Sequence, residues 1–269
     1  MATMAYGRSS DNLSPIGSGG TNWVVNTGTG DSSYVPANLS DKDPAKPGKL
    51  TTTTGSWVRD LGSAKQVDLV ALIHHNLDAA LSVKIQGHAS DSWGAPSLDQ
   101  AITIPADQED GFPANPFTDL TGIGSRTFRY WRVVIVGTNS VAISIGEIVL
   151  LGTKRTLERN YSWGQVEGDD QPIVEHRTLG RVSHIYQIGA KARTLGGDVL
   201  TTDAGASSLL SLHRTTKGRS EAFLAIPDPD VNDAWFVRLV NPTFARRIEF
   251  LDTQEIQLQL EEVSRGLVP

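Results

Sequence analysis

The sequence predicts a mainly β protein in two parts: a β-sandwich or jelly roll over 1–153, then a second β-rich domain with one short helix over 154–269. Three observations predict it. Leu81-Ser82-Val83-Lys84-Ile85-Gln86-Gly87 alternates apolar and polar residues, the period of a strand with one buried face. Val67-Asp68-Leu69-Val70-Ala71-Leu72-Ile73 is rich in branched and aliphatic residues, as a buried strand requires. Turn-forming Gly, Pro, Asn and Asp recur between such runs at the spacing of a sandwich. At 269 residues the chain is long for one ordinary domain and comfortable for two.

The opening 1–50 reads as loops with brief strands. Ile16-Gly17-Ser18-Gly19-Gly20 and Thr27-Gly28-Thr29-Gly30 supply positive-φ positions, and Pro36, Pro44 and Pro47 break any helix. Trp57-Val58-Arg59-Asp60-Leu61-Gly62 is a strand ending in a turn at Gly62. Ile102 and Ile104 mark a short strand, and 105–125, with Pro105, Pro113 and Pro116, a long irregular loop. Phe128 to Val136 and Ile143 to Leu151 are two further strands. A boundary falls near Gly152–Glu158, where Lys154, Arg155, Glu158 and Arg159 follow the last of these.

In the second part, Ile173 to His176 and Val182 to Ala190 read as strands. Ala204–Thr216 is the one helix, with Leu209, Leu210 and Leu212 as its apolar stripe and Asp203 as its cap. Phe223 to Ile226 and Trp235 to Val240 are strands flanking the turn Pro227-Asp228-Pro229-Asp230. In the C-terminal strand Ile256, Leu258 and Leu260 alternate with Gln257, Gln259 and Glu261. It is expected to be an exposed edge open to pairing with another subunit.

Composition excludes several functions. A net charge of −6 opposes phosphate-backbone binding, so no nucleic-acid partner is expected. The absence of cysteine excludes disulfides and thiolate metal sites. Met1 to Ser10 lacks the basic-then-apolar order of a signal peptide, and apolar runs such as Val133–Val136 are too short for membrane insertion. The expectation is a chain made in the cytoplasm that stays soluble.

The first domain resembles the discoidin, or galactose-binding-like, jelly roll. The matching pieces are Trp57-Val58-Arg59-Asp60-Leu61-Gly62, Ser90-Asp91-Ser92-Trp93, Tyr130-Trp131-Arg132-Val133 and Gly146-Glu147-Ile148-Val149-Leu150-Leu151-Gly152, in order over about a hundred residues. The resemblance places Trp57 and Leu61 inside the sandwich and makes Glu147 an anchor of the last strand. Ala71-Leu72-Ile73-His74-His75-Asn76-Leu77, the stretch 206–240 and the ending 258–265 resemble bacteriophage tail proteins, similar to distal-tail components of the tail tip or baseplate. That resemblance implies a virion component whose partners are copies of itself and other tail proteins. The rival class is a carbohydrate-binding module of a receptor-binding apparatus, with a cell-surface glycan as partner.

Neither reading requires catalysis. No Gly-x-Ser-x-Gly elbow, phosphate loop or zinc-protease helix is present, and Asp228, Asp230 and Asp233 around Pro229 read as turn formers rather than an acid–base pair. His74 and His75, adjacent on a strand, point to opposite faces and suit no single ion. Asp31, Asp41 and Asp43 lie where some galactose-binding-like domains hold calcium and are the candidate ligands for a structural ion; ordinary loop solvation is the other reading. Trp93, Phe112 and Phe117, placed on loops at one end of the sandwich, offer either sugar stacking or subunit contact. Arg214, Lys217 and Arg219 form a small basic patch, read as a solvated loop or a subunit salt bridge.

Overall fold

The computed structural model describes residues 4–13, 20–79, 81–105, 114–157, 166–170, 173–177, 183–187, 192–217, 220–228, 230–240, 246–250 and 253–263. In chain order the strands are β1 (Ala5–Gly7), β2 (Val24–Thr27), β3 (Gly48–Lys49), β4 (Gly55–Gln66), β5 (Leu69–His75), β6 (Ser82–His88), β7 (Leu98–Ile102), β8 (Phe117–Asp119), β9 (Thr127–Val136), β10 (Ser144–Leu151) and β11 (Arg155–Thr156). Then follow β12 (Val166–Asp170), β13 (Ile173–Arg177), β14 (Ser183–Gln187), β15 (Ala192–Thr201), helix α1 (Asp203–Thr215), β16 (Phe223–Ile226), β17 (Trp235–Leu239), β18 (Arg246–Phe250) and β19 (Thr253–Glu262). The protein is mainly β. It divides into one unit of 1–157 with 223–236, and a second of 158–222 with 237–269.

The first unit is an antiparallel β-sandwich. A five-stranded antiparallel sheet, β2-β4-β9-β6-β7, faces a four-stranded one, β3-β10-β5-β8. Trp23, Trp57, Leu61, Trp131, Val133 and Ile135 from the first meet Val70, Leu72, Ile145, Ile148 and Leu150 from the second in a single core. Phe128 and Trp131 add an edge-to-face contact, with centroids 5.7 Å apart. The alternation expected of 81–87 is realised: Val83 and Ile85 point in while Lys84 stays half-exposed. β5 and β10 are buried almost throughout, as their unbroken aliphatic runs demand.

Gly62 does not end its strand. It takes φ 76, its N–H is held by Asp60 Oδ1 at 2.7 Å, and β4 resumes its pairing with β9 at Lys65 opposite Phe128. The turn signal is a bulge, which resets the register and bends the strand. The irregular region 105–125 also holds β8, which pairs with β5 through Phe117 opposite Ala71.

A late segment completes this unit. β16 pairs with β1, Ala225 opposite Tyr6, and the following turn reaches the loop before β8. Asn232 Oδ1 accepts from Phe117 N at 2.9 Å, and its Nδ2 donates to Thr103 O at 2.6 Å. Asp233 Oδ1 accepts from Asn115 N at 2.9 Å and its Oδ2 from Trp235 Nε1 at 2.9 Å. One amide and one carboxylate thus satisfy the backbone groups of Thr103, Asn115 and Phe117.

In the second unit β19 pairs with β15 on one side and with β17 and β18 on the other, and β12 adds to β15. The C-terminal strand is therefore interior to its sheet, which corrects the expectation of an exposed edge. Its inward Ile256, Leu258 and Leu260 are buried as the alternation predicts. The cap of α1 is Thr202, whose side chain accepts from Gly205 N, rather than Asp203; Leu209 and Leu212 are buried beneath the helix. Among the described residues no helix is long and apolar enough to cross a membrane.

Replacing Asn232 and Asp233 together by alanine removes four hydrogen bonds, each worth about 0.5–1.5 kcal/mol net. The double variant is expected to melt several degrees below the wild type. An unchanged melting temperature would show that this segment does not hold the sandwich.

Candidate functional site

The outward face of the five-stranded sheet carries one continuous polar row. Register places Arg132 between Val58 and Gln86, and Gln86 beside Asp99. Arg132 Nε donates to Gln86 Oε1 at 2.9 Å and Nη1 to Asn26 Oδ1 at 3.1 Å. Gln86 Nε2 donates to Asp99 Oδ1 at 3.0 Å, and Lys84 Nζ pairs with Asp99 Oδ2 at 2.8 Å. Ser56 Oγ donates to Asn26 Oδ1 at 3.2 Å. All five strands contribute, so the guanidinium is held by acceptors on both sides. The Lys84 hydrogen bond keeps the Asp99 carboxyl below the usual carboxylate range, while burial lowers the proton affinity of Arg132.

Trp93 forms a second layer over this row. It lies in the loop 89–97, and the Arg132 guanidinium carbon is 4.6 Å from its ring centroid, a cation–π stack. Its Nε1–H donates to Asp91 Oδ1 at 2.6 Å, which fixes the rotation of the indole in its own plane. Trp93 is half-buried among the exposed Asp91, Ser92, Gly94 and Ala95, and a side chain added at Gly94 would meet open space. The result is an aromatic ring clamped from below and at one edge, rimmed by hydrogen-bonding groups. Shallow recognition of a ligand with both an apolar face and hydroxyls needs this combination.

The other sequence candidates lie elsewhere. Phe117 starts β8, and the neighbouring Thr118 Oγ1 donates to Ala101 O, at the opposite end of β7 from the Trp93 loop. The two aromatics therefore do not share one site, and Phe112 falls outside the described residues. Arg214 is exposed in the last turn of α1. Lys217 pairs with Glu221 at 2.6 Å, an exposed pair of little energetic weight, and Arg219 lies outside the described residues. His75 is buried; its Nδ1 accepts from Leu77 N at 3.0 Å, so Nε2 carries the proton donated to Ala114 O at 2.8 Å. Both ring nitrogens are thereby engaged in shaping the chain rather than a metal.

The calcium candidates separate. Asp31 Oδ1 accepts from Ser33 N at 2.8 Å in a turn of its own, and Asp43 pairs with Lys46 at 2.9 Å. Asp41, whose Oδ1 accepts from Asp43 N at 2.8 Å, shares with Asp43 the loop that meets Glu147, away from the Asp31 turn. Fully buried on β10, Glu147 accepts from Lys42 N through Oε2 at 3.1 Å, while its Oε1 has no hydrogen-bond partner among the described residues. Lys42 holds φ 66, the left-handed conformation that turns its N–H toward that carboxylate. Arg59, also buried, reaches Ser40 Oγ at 3.2 Å and does not bond Glu147. Burial raises Glu147 well above the usual carboxylate range and raises Asp41 too; it draws Arg59 down to about 10. Among the described residues no three metal-ligating side chains gather in one place. Glu147 Oε1 and the nearby Asp41 carboxylate are oxygens of the kind a hard cation takes, but two such groups alone do not complete a site. A bound cation would displace the proton that burial favours on Glu147, whose interaction with Arg59 acts through space without a hydrogen bond.

No family model matches the sequence, and no curated protein matches it. Among solved structures, the chain is similar to CpGH89CBM32-6 produced by Clostridium perfringens, at 17% identity over 53% of this chain and 99% of that one, with a TM-score of 0.38. It is similar to the fucose binding module SpX-3 of Streptococcus pneumoniae, at 12% identity over 53% of this chain and 98% of that one, TM-score 0.39. It is also similar to the lectin domain of lectinolysin complexed with Lewis B antigen, at 11% identity over 54% and 98%, TM-score 0.39.

Glu147 gives the stability a sign. A carboxyl whose folded proton affinity exceeds its ordinary value of 4.5 makes the native state hold more protons than the unfolded chain above that pH, so stability falls as pH rises through the window. Thermal melts are expected to show this fall, and calcium is expected to reverse it at neutral pH. Glu147→Gln should flatten the fall and abolish the calcium response. Equal stabilisation of wild type and variant by calcium would refute the assignment.

Proposed function

We propose that the chain is a non-catalytic recognition protein, the carbohydrate-binding module of a receptor-binding apparatus, and that the outer face of Trp93 is its sugar platform. The observation that carries this reading is the fixed Trp93–Arg132 stack. An exposed indole on a flexible loop would lose conformational freedom when a ligand ordered it; here the guanidinium and Asp91 have already ordered it. A pyranose ring presents an apolar face suited to the indole, and its hydroxyls meet the amide, carboxylate and ammonium groups of the rim. Arg132 is a positioning residue in this scheme, because the indole separates it from the ligand.

A second reading, a structural component of a phage tail tip within a virion, is favoured by the resemblance of 71–77 and 206–240 to tail proteins. It requires copies of the chain, or other tail proteins, to cover its surfaces. Light scattering that finds ring-sized assemblies would support it, and a strict monomer at high concentration would count against it.

The sugar reading is tested by screening the full chain on a glycan array and titrating the best ligand calorimetrically. Trp93→Ala is expected to weaken binding about 10- to 100-fold, or about 1.4–2.8 kcal/mol, the scale of a central aromatic anchor. Arg132→Lys retains a cation but loses the fork to Gln86 and Asn26, and should weaken binding less; Phe117→Ala should leave it unchanged. The reading fails if Trp93→Ala binds as the wild type does, or if the array shows no sugar-dependent signal.

A further inference from the structure

A second clamped aromatic lies at the other end of the sandwich. Lys49 Nζ sits 3.8 Å from the ring centroid of Tyr34, both side chains half-buried. The two residues are also joined through the backbone: Lys49 N donates to Tyr34 O at 3.0 Å, and Asp31 N donates to Lys49 O at 3.1 Å. The turn between Asp31 and Tyr34 is closed by Tyr34 N to Asp31 O at 3.3 Å and by Ser33 N to Asp31 Oδ1 at 2.8 Å. Lys49 lies on β3, paired with Ser144 at the start of β10. The Trp93 loop instead leaves β6 at His88, beside Tyr130, near the strand ends where Asp68 N meets Leu151 O.

The chemistry of this second site differs from that of the first. Arg132 is surrounded by amide oxygens, with Asp91 and Asp99 near enough to act on its charge. Lys49 forms no ion pair, and the Tyr34 hydroxyl forms no hydrogen bond, among the described residues. The carboxylate of the same turn, Asp31, accepts from Ser33 N and does not pair with the ammonium. An ammonium with no carboxylate partner among the described residues, fixed over an aromatic ring, suits negative charge borne on a group that can also contact an aromatic surface.

We propose that Tyr34 and Lys49 form a second ligand site, which takes the anionic substituent, carboxylate or sulfate, of an acidic saccharide. The ammonium pairs with the anion, the phenol donates to it or to an adjacent hydroxyl, and the ring contacts the sugar. The site stands apart from the Trp93 platform, so neither depends on the other being right.

The test is calorimetric titration of the full chain with three oligosaccharides of equal length: an oligouronate, a sulfated neutral-backbone oligosaccharide, and the unmodified neutral one. Inorganic sulfate serves as a competitor. At least one acidic oligosaccharide is expected to bind more tightly than the neutral one, with an affinity that falls as salt rises. The uronate and sulfate arms identify which anion is preferred. Lys49→Gln should weaken that binding about tenfold or more and Tyr34→Phe by a smaller factor, while Trp93→Ala leaves it within about twofold. Both substituted side chains lie at the surface, and matching melting curves confirm that the variants fold. The proposal is overturned if Lys49→Gln binds the acidic ligands as the wild type does, if Trp93→Ala alone abolishes that binding, or if inorganic sulfate displaces them at equal concentration. The last outcome would mean that the site reads charge without sugar.

Discussion

The register of β9 is the constraint on which the rest of the first unit depends. Successive residues of a strand face opposite ways, so Trp131 enters the core only if Arg132 leaves it. A slip of one position would exchange them, opening a void the size of an indole inside and burying an unpaired guanidinium. The bulge between Asp60 and Lys65 sets that register on the β4 side, where Gly62 supplies the left-handed turn. On the other side Ile85 opposes Val133 in the core while Gln86 opposes Arg132 outside. The same pairing that builds the hydrophobic core therefore assembles the polar row, and the row supports the Trp93 ring.

Both proposed sites share a two-layer construction: a cation fixed on the sandwich, and an aromatic ring over or under it. The sandwich supplies rigidity, and the loop supplies the ring. The cations differ in a way that suits their roles. The planar fork of Arg132 is locked by Gln86 and Asn26 and makes a flat support, whereas the ammonium of Lys49 is a point charge with donors to spare. The buried pair of Glu147 and Arg59 belongs to a different class. It sits inside the unit, its charges do not bond each other, and its consequence is for stability.

Much of the sandwich was legible in the sequence because its strands obey simple periods. The alternation in 81–87 and the aliphatic run ending at Ile73 were found as strands within about two residues. β15 shows no strand period because Gly196 and Gly197 interrupt its pattern, and β8 shows none because it is three residues among prolines. The C-terminal strand is legible along the chain but its place in the sheet is not, since alternation reports which face is buried and says nothing of how many neighbours a strand has. Trp93 was legible as an aromatic on a Ser-Asp-Ser-Trp loop. Arg132, Gln86 and Asn26 were not, because residues 106 positions apart meet only through strand register. Tyr34 and Lys49 carry no signal beyond their residue types, and the resemblance that makes Glu147 an anchor does not reveal its buried oxygen, unpaired among the described residues.

The central claim is that a sugar stacks on the outer face of Trp93. The chain has 6 tryptophans, of which Trp23, Trp57 and Trp131 are fully buried, so their indole N–H resonances report separately. Titrating the labelled full chain with a bound oligosaccharide while following these resonances tests the claim most directly. The account predicts a saturating shift of the Trp93 indole signal, with the three core signals unmoved. Saturable binding that leaves the Trp93 signal in place would contradict it.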